Sequence, residues 1–200
     1  MRRLAWLGLC IFAAGMLVWE ALPRMAPKLA NAVPPPSRII ATLWHLKMAK
    51  DRLNEPSDLT PMNISEIMAL PTFLLYPTFA QLREISILEQ RGVIVTGFIA
   101  RVRLMRDGDY KIQITSAPVN GCLRYNSPEQ LVTELTPGVQ ARKPRYTLAN
   151  LEALCGTDTP VRIWGWLFYD ATHLGERYRG TPWEVHPITR IEVCCWREIS

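Results

Sequence analysis

The sequence has no Cys-x-x-Cys pair, no Gly-x-Ser-x-Gly elbow, no phosphate-binding Gly-Lys loop and no His-Glu-x-x-His segment. These absences remove a zinc ribbon, a thioredoxin-type redox centre, a nucleophile elbow, a nucleotide-triphosphate loop and a zinc-protease helix. A strong cationic surplus is missing too. The net charge is +5, but residues 1–32 hold Arg2, Arg3, Arg24 and Lys28 against Glu20. The other 168 residues are left at +2, with 19 basic and 17 acidic side chains. A module that neutralises many phosphates normally carries a larger surplus.

What is present fits a globular chain with attachments. Apolar residues make up 48% of the 200 positions and charged residues 20%, enough to bury one core. Of the 16 prolines, 13 cluster in Pro23–Pro36, Pro56–Pro77 and Pro118–Pro144, which marks irregular connections. The N-terminus has its own pattern. Met1-Arg2-Arg3 precedes an uncharged apolar run from Leu4 to Trp19. A positive flank stays cytoplasmic, so the rest of the chain is expected in the periplasm of a bacterium. Two fates are open for residues 1–32: a retained anchor in the inner membrane, short but able to span with local thinning, or a signal cleaved after Ala32.

Cysteine usage agrees with export. Outside the apolar run lie Cys122, Cys155, Cys194 and Cys195. They are either buried free thiols or disulfide-bonded, and Cys122–Cys155 is the expected pair. Adjacent Cys194 and Cys195 point to opposite sides of a strand and do not readily pair with each other.

Residues 33–91 read as a proline-rich spacer and helical region. Val33-Pro34-Pro35-Pro36 is stiff and extended. Helices are expected from Arg38 to Leu53, from about Asn63 or Ser65 to Ala69, and from Thr78 to Gln90. Phe73, Leu74, Leu75, Tyr76 and Phe79 require cover, from the following domain, a partner or a membrane surface. A lone helical His45 is read as a surface or packing residue.

From Gly92 the periodicity becomes alternating. Val93 to Leu104 predicts a long strand in which Gly97 marks a bulge or a sharp coil, and Arg106-Asp107-Gly108-Asp109 a tight turn into a strand at Tyr110 to Thr115. A short third strand is expected at Cys122 to Tyr125 and a helix capped by Thr147 at Leu148 to Leu154. Further strands follow at Val161 to Tyr169 and about Trp183 to Val193. Five strands with a helix between the third and fourth match an OB-fold barrel. The expected class is mainly β: an OB-like five-stranded barrel at 92–200, preceded by a helical region and an N-terminal transmembrane or signal helix. An open α+β sandwich has a similar element order.

Several stretches carry a resemblance. Gly92-Val93-Ile94-Val95-Thr96-Gly97, Asp107-Gly108-Asp109-Tyr110, Gly165-Trp166-Leu167-Phe168-Tyr169-Asp170 with His173, and Trp183-Glu184-Val185-His186-Pro187 with Ile191-Glu192-Val193 are the residues concerned. Over about residues 92–195 the chain resembles a group of uncharacterised, mostly exported bacterial proteins with an OB-like domain and a Trp-Glu-Ile-His-Pro signature. The resemblance implies the fold and no particular activity. Where that group has His after Asp-Tyr, this chain has Lys111.

Two candidate sites follow from residue types. Asp170, His173, Glu184 and His186 flank one strand-to-strand connection, and Asp109 is able to join them. Carboxylates with imidazoles bind a divalent metal, act in acid–base catalysis, or make buried hydrogen bonds that close a barrel end. Arg177, Arg179 and Arg190 lie nearby. The second candidate is an alternating row in which Val161, Ile163, Gly165 and Leu167 face inward. Arg162, Trp164, Trp166 and Phe168 then face outward, as a platform for the preceding helical region, a protein partner or unpaired bases. Arg142-Lys143-Pro144-Arg145 reads as a solvated loop. The expected function is a membrane-tethered, non-catalytic binding or assembly module without a cofactor. A single-stranded nucleic-acid binder and a metal-dependent hydrolase are the alternatives.

Overall fold

A computed structural model describes residues 52–73, 75, 77–174, 176 and 178–194. The N-terminal run, the cleavage expected as one alternative after Ala32, His45 and nearly all of the helix expected at 38–53 lie outside them. So do Leu74, Tyr76, Arg177 and Cys195. Among the described residues no helix is long and apolar enough to cross a membrane.

Among the described residues, six strands and four α-helices follow in chain order. They are β1 (Leu59–Pro61), α1 (Ile64–Met68), α2 (Phe79–Glu89), β2 (Gly92–Leu104), β3 (Tyr110–Thr115), β4 (Leu131–Leu135), α3 (Pro137–Arg142), α4 (Leu148–Leu154), β5 (Pro160–Tyr169) and β6 (Trp183–Val193). The sheet runs β1-β2-β3-β4-β6-β5, and β5 returns to pair with β2. Strands β2 to β6 therefore close a five-stranded barrel, with β1 added in parallel beside β2. The β4–β6 contact is parallel and the other barrel pairings are antiparallel. With α4 between the third and fourth barrel strands, this is the OB-fold arrangement.

The period-two pattern explains the core. Val93, Val95, Ile99, Ile112, Ile114, Leu131, Leu135, Ile163, Leu167 and Val185 are all without solvent exposure and fill the barrel. Asn63 and Thr78 start α1 and α2 with reciprocal capping boxes, and the Thr147 hydroxyl accepts from Asn150 N at the start of α4.

Two expectations are corrected. Cys122–Tyr125 is loop, and the third barrel strand is Leu131–Leu135, buried along its whole length. Alternation is hidden there because Glu134 and Val132 are covered on the outer face as Leu131 and Leu135 are on the inner. The bulge of β2 falls at Ala100, between the pairs Ile99–Ile114 and Arg101–Gln113, and not at Gly97. Gly97 serves close approach instead, since a Cβ there would lie 2.8 Å from the carbonyl oxygen of Thr115. Freed from the ladder, the carbonyls of Ile99 and Ala100 accept from Gly156 N (2.7 Å) and Leu123 N (2.8 Å). Beside them Cys122 and Cys155 form the expected disulfide, Cα atoms 5.2 Å apart. Loop 116–130 is thereby fixed to the barrel.

The region before the barrel packs on it. Tyr169 Oη accepts from Phe73 N (2.8 Å) and donates to Phe73 O (2.7 Å). Trp183 Nε1 donates to Pro71 O (2.8 Å), and the Phe73–Tyr169–Trp183 rings meet edge to face. Glu89, at the end of α2, accepts from Tyr169 N (2.8 Å) and faces the Arg52 guanidinium at 3.9 Å. The Phe79 side chain stays exposed.

Candidate functional site

The outer face of the barrel carries two groups of side chains that differ in burial. The first starts at the β3–β4 register, where Lys111 is opposite Glu134, and continues to β6, where Thr133 is opposite Val185. Because Thr133 and Val185 point into the barrel, Glu134, Glu184 and His186 share the outer face. Asp109 enters from the β2–β3 turn, whose Asp-Gly sequence places Gly108 at φ 90°.

These residues form a chain of charges. His186 Nδ1 lies 2.9 Å from Glu134 Oε2 and 3.3 Å from Glu184 Oε1, and Nε2 lies 3.9 Å from Asp109 Oδ2. Lys111 Nζ is 3.6 Å from Glu134 Oε1. Arg179 donates to Glu184 Oε2 at 2.7 Å and approaches Asp170 Oδ2 at 3.6 Å. Asp170 in turn accepts from Thr172 and pairs with His173, whose Nε2 reaches Glu176 at 3.7 Å. The four residues singled out in the sequence thus divide into two pairs, Glu184–His186 and Asp170–His173, bridged by Arg179. The sequence reading missed Glu134 and Lys111, and placed Arg179 only among the arginines near the cluster, not as its bridge. A charged residue within an apolar strand, Glu134 in Leu-Val-Thr-Glu-Leu, was the available signal.

Electrostatics follows from this packing. Burial opposes a charge on His186, but the carboxylates of Glu134 and Glu184 outweigh it and raise its pKa to about 9. Burial alone would raise the Asp170 carboxyl. Hydrogen bonds from His173 and Thr172, with the charges of His173 and Arg179, hold it well below the usual carboxylate range. The bond to Asp170 raises the His173 pKa against its burial.

The aromatic row is divided as well. Arg162 is exposed, but Trp164 is buried beneath Arg190, 4.3 Å from its ring centroid, and Arg162, at 5.9 Å. Trp166 donates through Nε1 to Asn54 O (2.9 Å) and stacks under Arg52 at 4.9 Å. Phe168 is fully buried beside the His186 ring, centroids 5.4 Å apart. Thus the chain itself covers most of the row, with Arg190 over Trp164, residues 52–54 at Trp166 and His186 beside Phe168. Two bulges of β6 opposite Gly165 break the simple alternation there.

The second group is open to solvent and was not foreseen. Arg101, Arg103, Tyr125, Asn126 and Tyr178 line a groove of about 530 Å³. Tyr125 is 81% exposed and Tyr178 59%. Arg101 and Arg103 extend from the outer face of β2, opposite Gln113 and Lys111. Arg101 also bonds Asn126, and both partial burial and the neighbouring Arg103 lower its pKa. The disulfide and the Leu123–Ala100 hydrogen bond hold the Tyr125 loop. The Tyr178 loop packs onto it at Gly180, where a Cβ would sit 2.0 Å from the Pro128 carbonyl oxygen. Only tertiary structure joins these three segments.

No family model matches this chain, and no curated protein matches it in sequence. Solved structures that resemble its fold include the Stn1–Ten1 complex of S. pombe, with 10% identity over 52% of this chain and 57% of that one, TM-score 0.30. An asparaginyl-tRNA synthetase of Entamoeba histolytica shares 11% identity over 52% of this chain and 20% of that one, TM-score 0.32. The OB4 domain of the yeast telomere protein Cdc13 shares 14% identity over 64% and 86%, TM-score 0.37. This chain spans just over half of the first and a fifth of the second. Likenesses this distant carry no functional argument.

Proposed function

We propose that this chain is a non-catalytic binding module, held at the inner membrane of a bacterium by its N-terminal run with the barrel in the periplasm. One observation carries the reading. Glu134, Glu184, His186 and Arg179 neutralise one another away from solvent, whereas the Tyr125–Tyr178 groove presents aromatic and arginine side chains on a fixed frame. General acid–base catalysis needs a titrating group within reach of a substrate. Binding draws on aromatic and Arg anchors, of which the tyrosines lose little entropy when covered. The Cys122–Cys155 disulfide suits an oxidising compartment. In the test, the full chain is extracted from native membranes in mild detergent, sized, and its companions identified. The wild type is expected in a larger assembly and a Tyr125→Ala, Arg103→Ala variant alone. A wild type that runs at its own mass rejects the assembly role.

The pairing of two exposed tyrosines with two arginines favours one second reading, an unpaired nucleic-acid strand as ligand. Tyrosines stack on bases and arginines meet phosphates; each stacking ring contributes about 1–3 kcal/mol by alanine substitution. Anisotropy with a labelled oligonucleotide across a salt series decides it. Salt-dependent binding weakened in Tyr125→Ala supports this reading, and binding that ignores both rejects it.

A further inference from the structure

We propose that Asp109, Glu134 and His186 form a binding site for a first-row divalent metal ion such as zinc, separate from the Tyr125–Tyr178 groove. One oxygen of Asp109, one of Glu134 and one ring nitrogen of His186 all lie within 4.8 Å of one another. Ligand bonds of about 2.0–2.2 Å around a shared ion put donor atoms roughly 3–4 Å apart, so small rotamer changes suffice. The three donors come from three fixed elements. Asp109 sits in a turn closed by Met105 N→Asp109 O (2.8 Å), Glu134 is on β4, and His186 is on β6 beside the parallel β4–β6 pair.

A second, independent observation concerns the imidazole. His186 is 1% exposed, and neither ring nitrogen makes a hydrogen bond of good geometry. Its nitrogens nevertheless approach carboxylates of three residues, at 2.9, 3.3 and 3.9 Å. A buried imidazole whose nitrogens lack a hydrogen bond leaves one of them open to serve as a metal ligand. Imidazole among the donors favours zinc-like ions over calcium or magnesium. Asp109 and Glu134 keep slight exposure, which puts the entry on their side.

The test uses the full chain in detergent, stripped with a chelator, dialysed against zinc and assayed by atomic emission. Stoichiometric zinc is expected in the wild type and in Cys194→Ser, and a loss of about tenfold or more in Asp109→Asn and Glu134→Gln. These two variants are near-isosteric; circular dichroism and retained oxidation of Cys122–Cys155 report that they fold. Cobalt loading gives a second readout, whose visible bands are expected to vanish in Glu134→Gln. Wild type that retains no zinc, or variants that retain as much as wild type, overturns the site and leaves His186 as a protonated ion-pair partner.

Discussion

The two groups on the outer face of the barrel both combine charged and aromatic side chains, yet they behave in opposite ways. Around Glu134, Glu184 and His186, every charge has an opposite charge close by, and the side chains are covered by Arg179 and Phe168. Along Arg101, Arg103, Tyr125 and Tyr178, like charges adjoin and the aromatic rings face solvent. Only the first holds carboxylates, and coverage separates the two further, because a low-dielectric surrounding makes partnered charges structural, whereas water surrounds the exposed aromatic and guanidinium groups. A charged or aromatic residue on a barrel strand is therefore not a site until its cover is known.

This contrast can be broken at the buried side first. Glu184→Ala leaves Arg179 and His186 without their shared carboxylate, and a buried pair broken on one side costs about 3–5 kcal/mol. Urea unfolding should register a loss of that order. A change below about 1 kcal/mol would mean that water reaches the pair and that coverage is not what distinguishes the two groups.

The disulfide comes next, because it links the barrel to the Tyr125 loop. Cys122 and Cys155 are separated by 33 residues, and closing such a loop is worth about 3–4 kcal/mol through the unfolded state. Cys122→Ser should lose that stability and also weaken ligand capture, although it removes no lining residue of the groove. Capture at wild-type strength in this variant would show that loop fixation does not matter.

Acid should act on the Asp170–His173 pair. The folded Asp170 pKa is depressed, so its contribution is present above the unfolded value of 3.8 and is lost as pH falls through the folded value. His173 is raised, so its contribution is full below 6.5 and fades as pH rises through its folded value. The pair is worth most between these limits. Unfolding free energy measured from pH 2 to 6 should fall less steeply toward acid in Asp170→Asn than in the wild type. Parallel curves would remove Asp170 from the acid response.

The smallest stability effect is expected in the open groove. Tyr125→Ala, at a mostly solvated ring, should shift stability by no more than about 0.5 kcal/mol while reducing ligand capture. Calorimetry paired with the extraction experiment reads both. A large loss of stability would make Tyr125 a packing residue after all.

The sequence by itself determined the barrel. Alternation in Tyr110–Thr115 and Val161–Tyr169, the Asp-Gly turn before Tyr110 and the Thr147 cap set local structure through nearest-neighbour physics, and they appear where expected. β4 escaped because both its faces are covered, which erases period-two contrast, and covering is a tertiary event. The polar residues near Asp170 and His186 were legible as a cluster, since they are close in the chain. Their division into two pairs was not, because it depends on where Arg179 folds back from the β5–β6 connection. The Tyr125–Tyr178 groove was invisible for the same reason. Its residues come from β2 and two loops more than twenty positions apart, joined by a disulfide and by the packing of Gly180 on Pro128. Periodicity reports which way a side chain points from its own strand; only the closed barrel with its loops decides what stands in front of it.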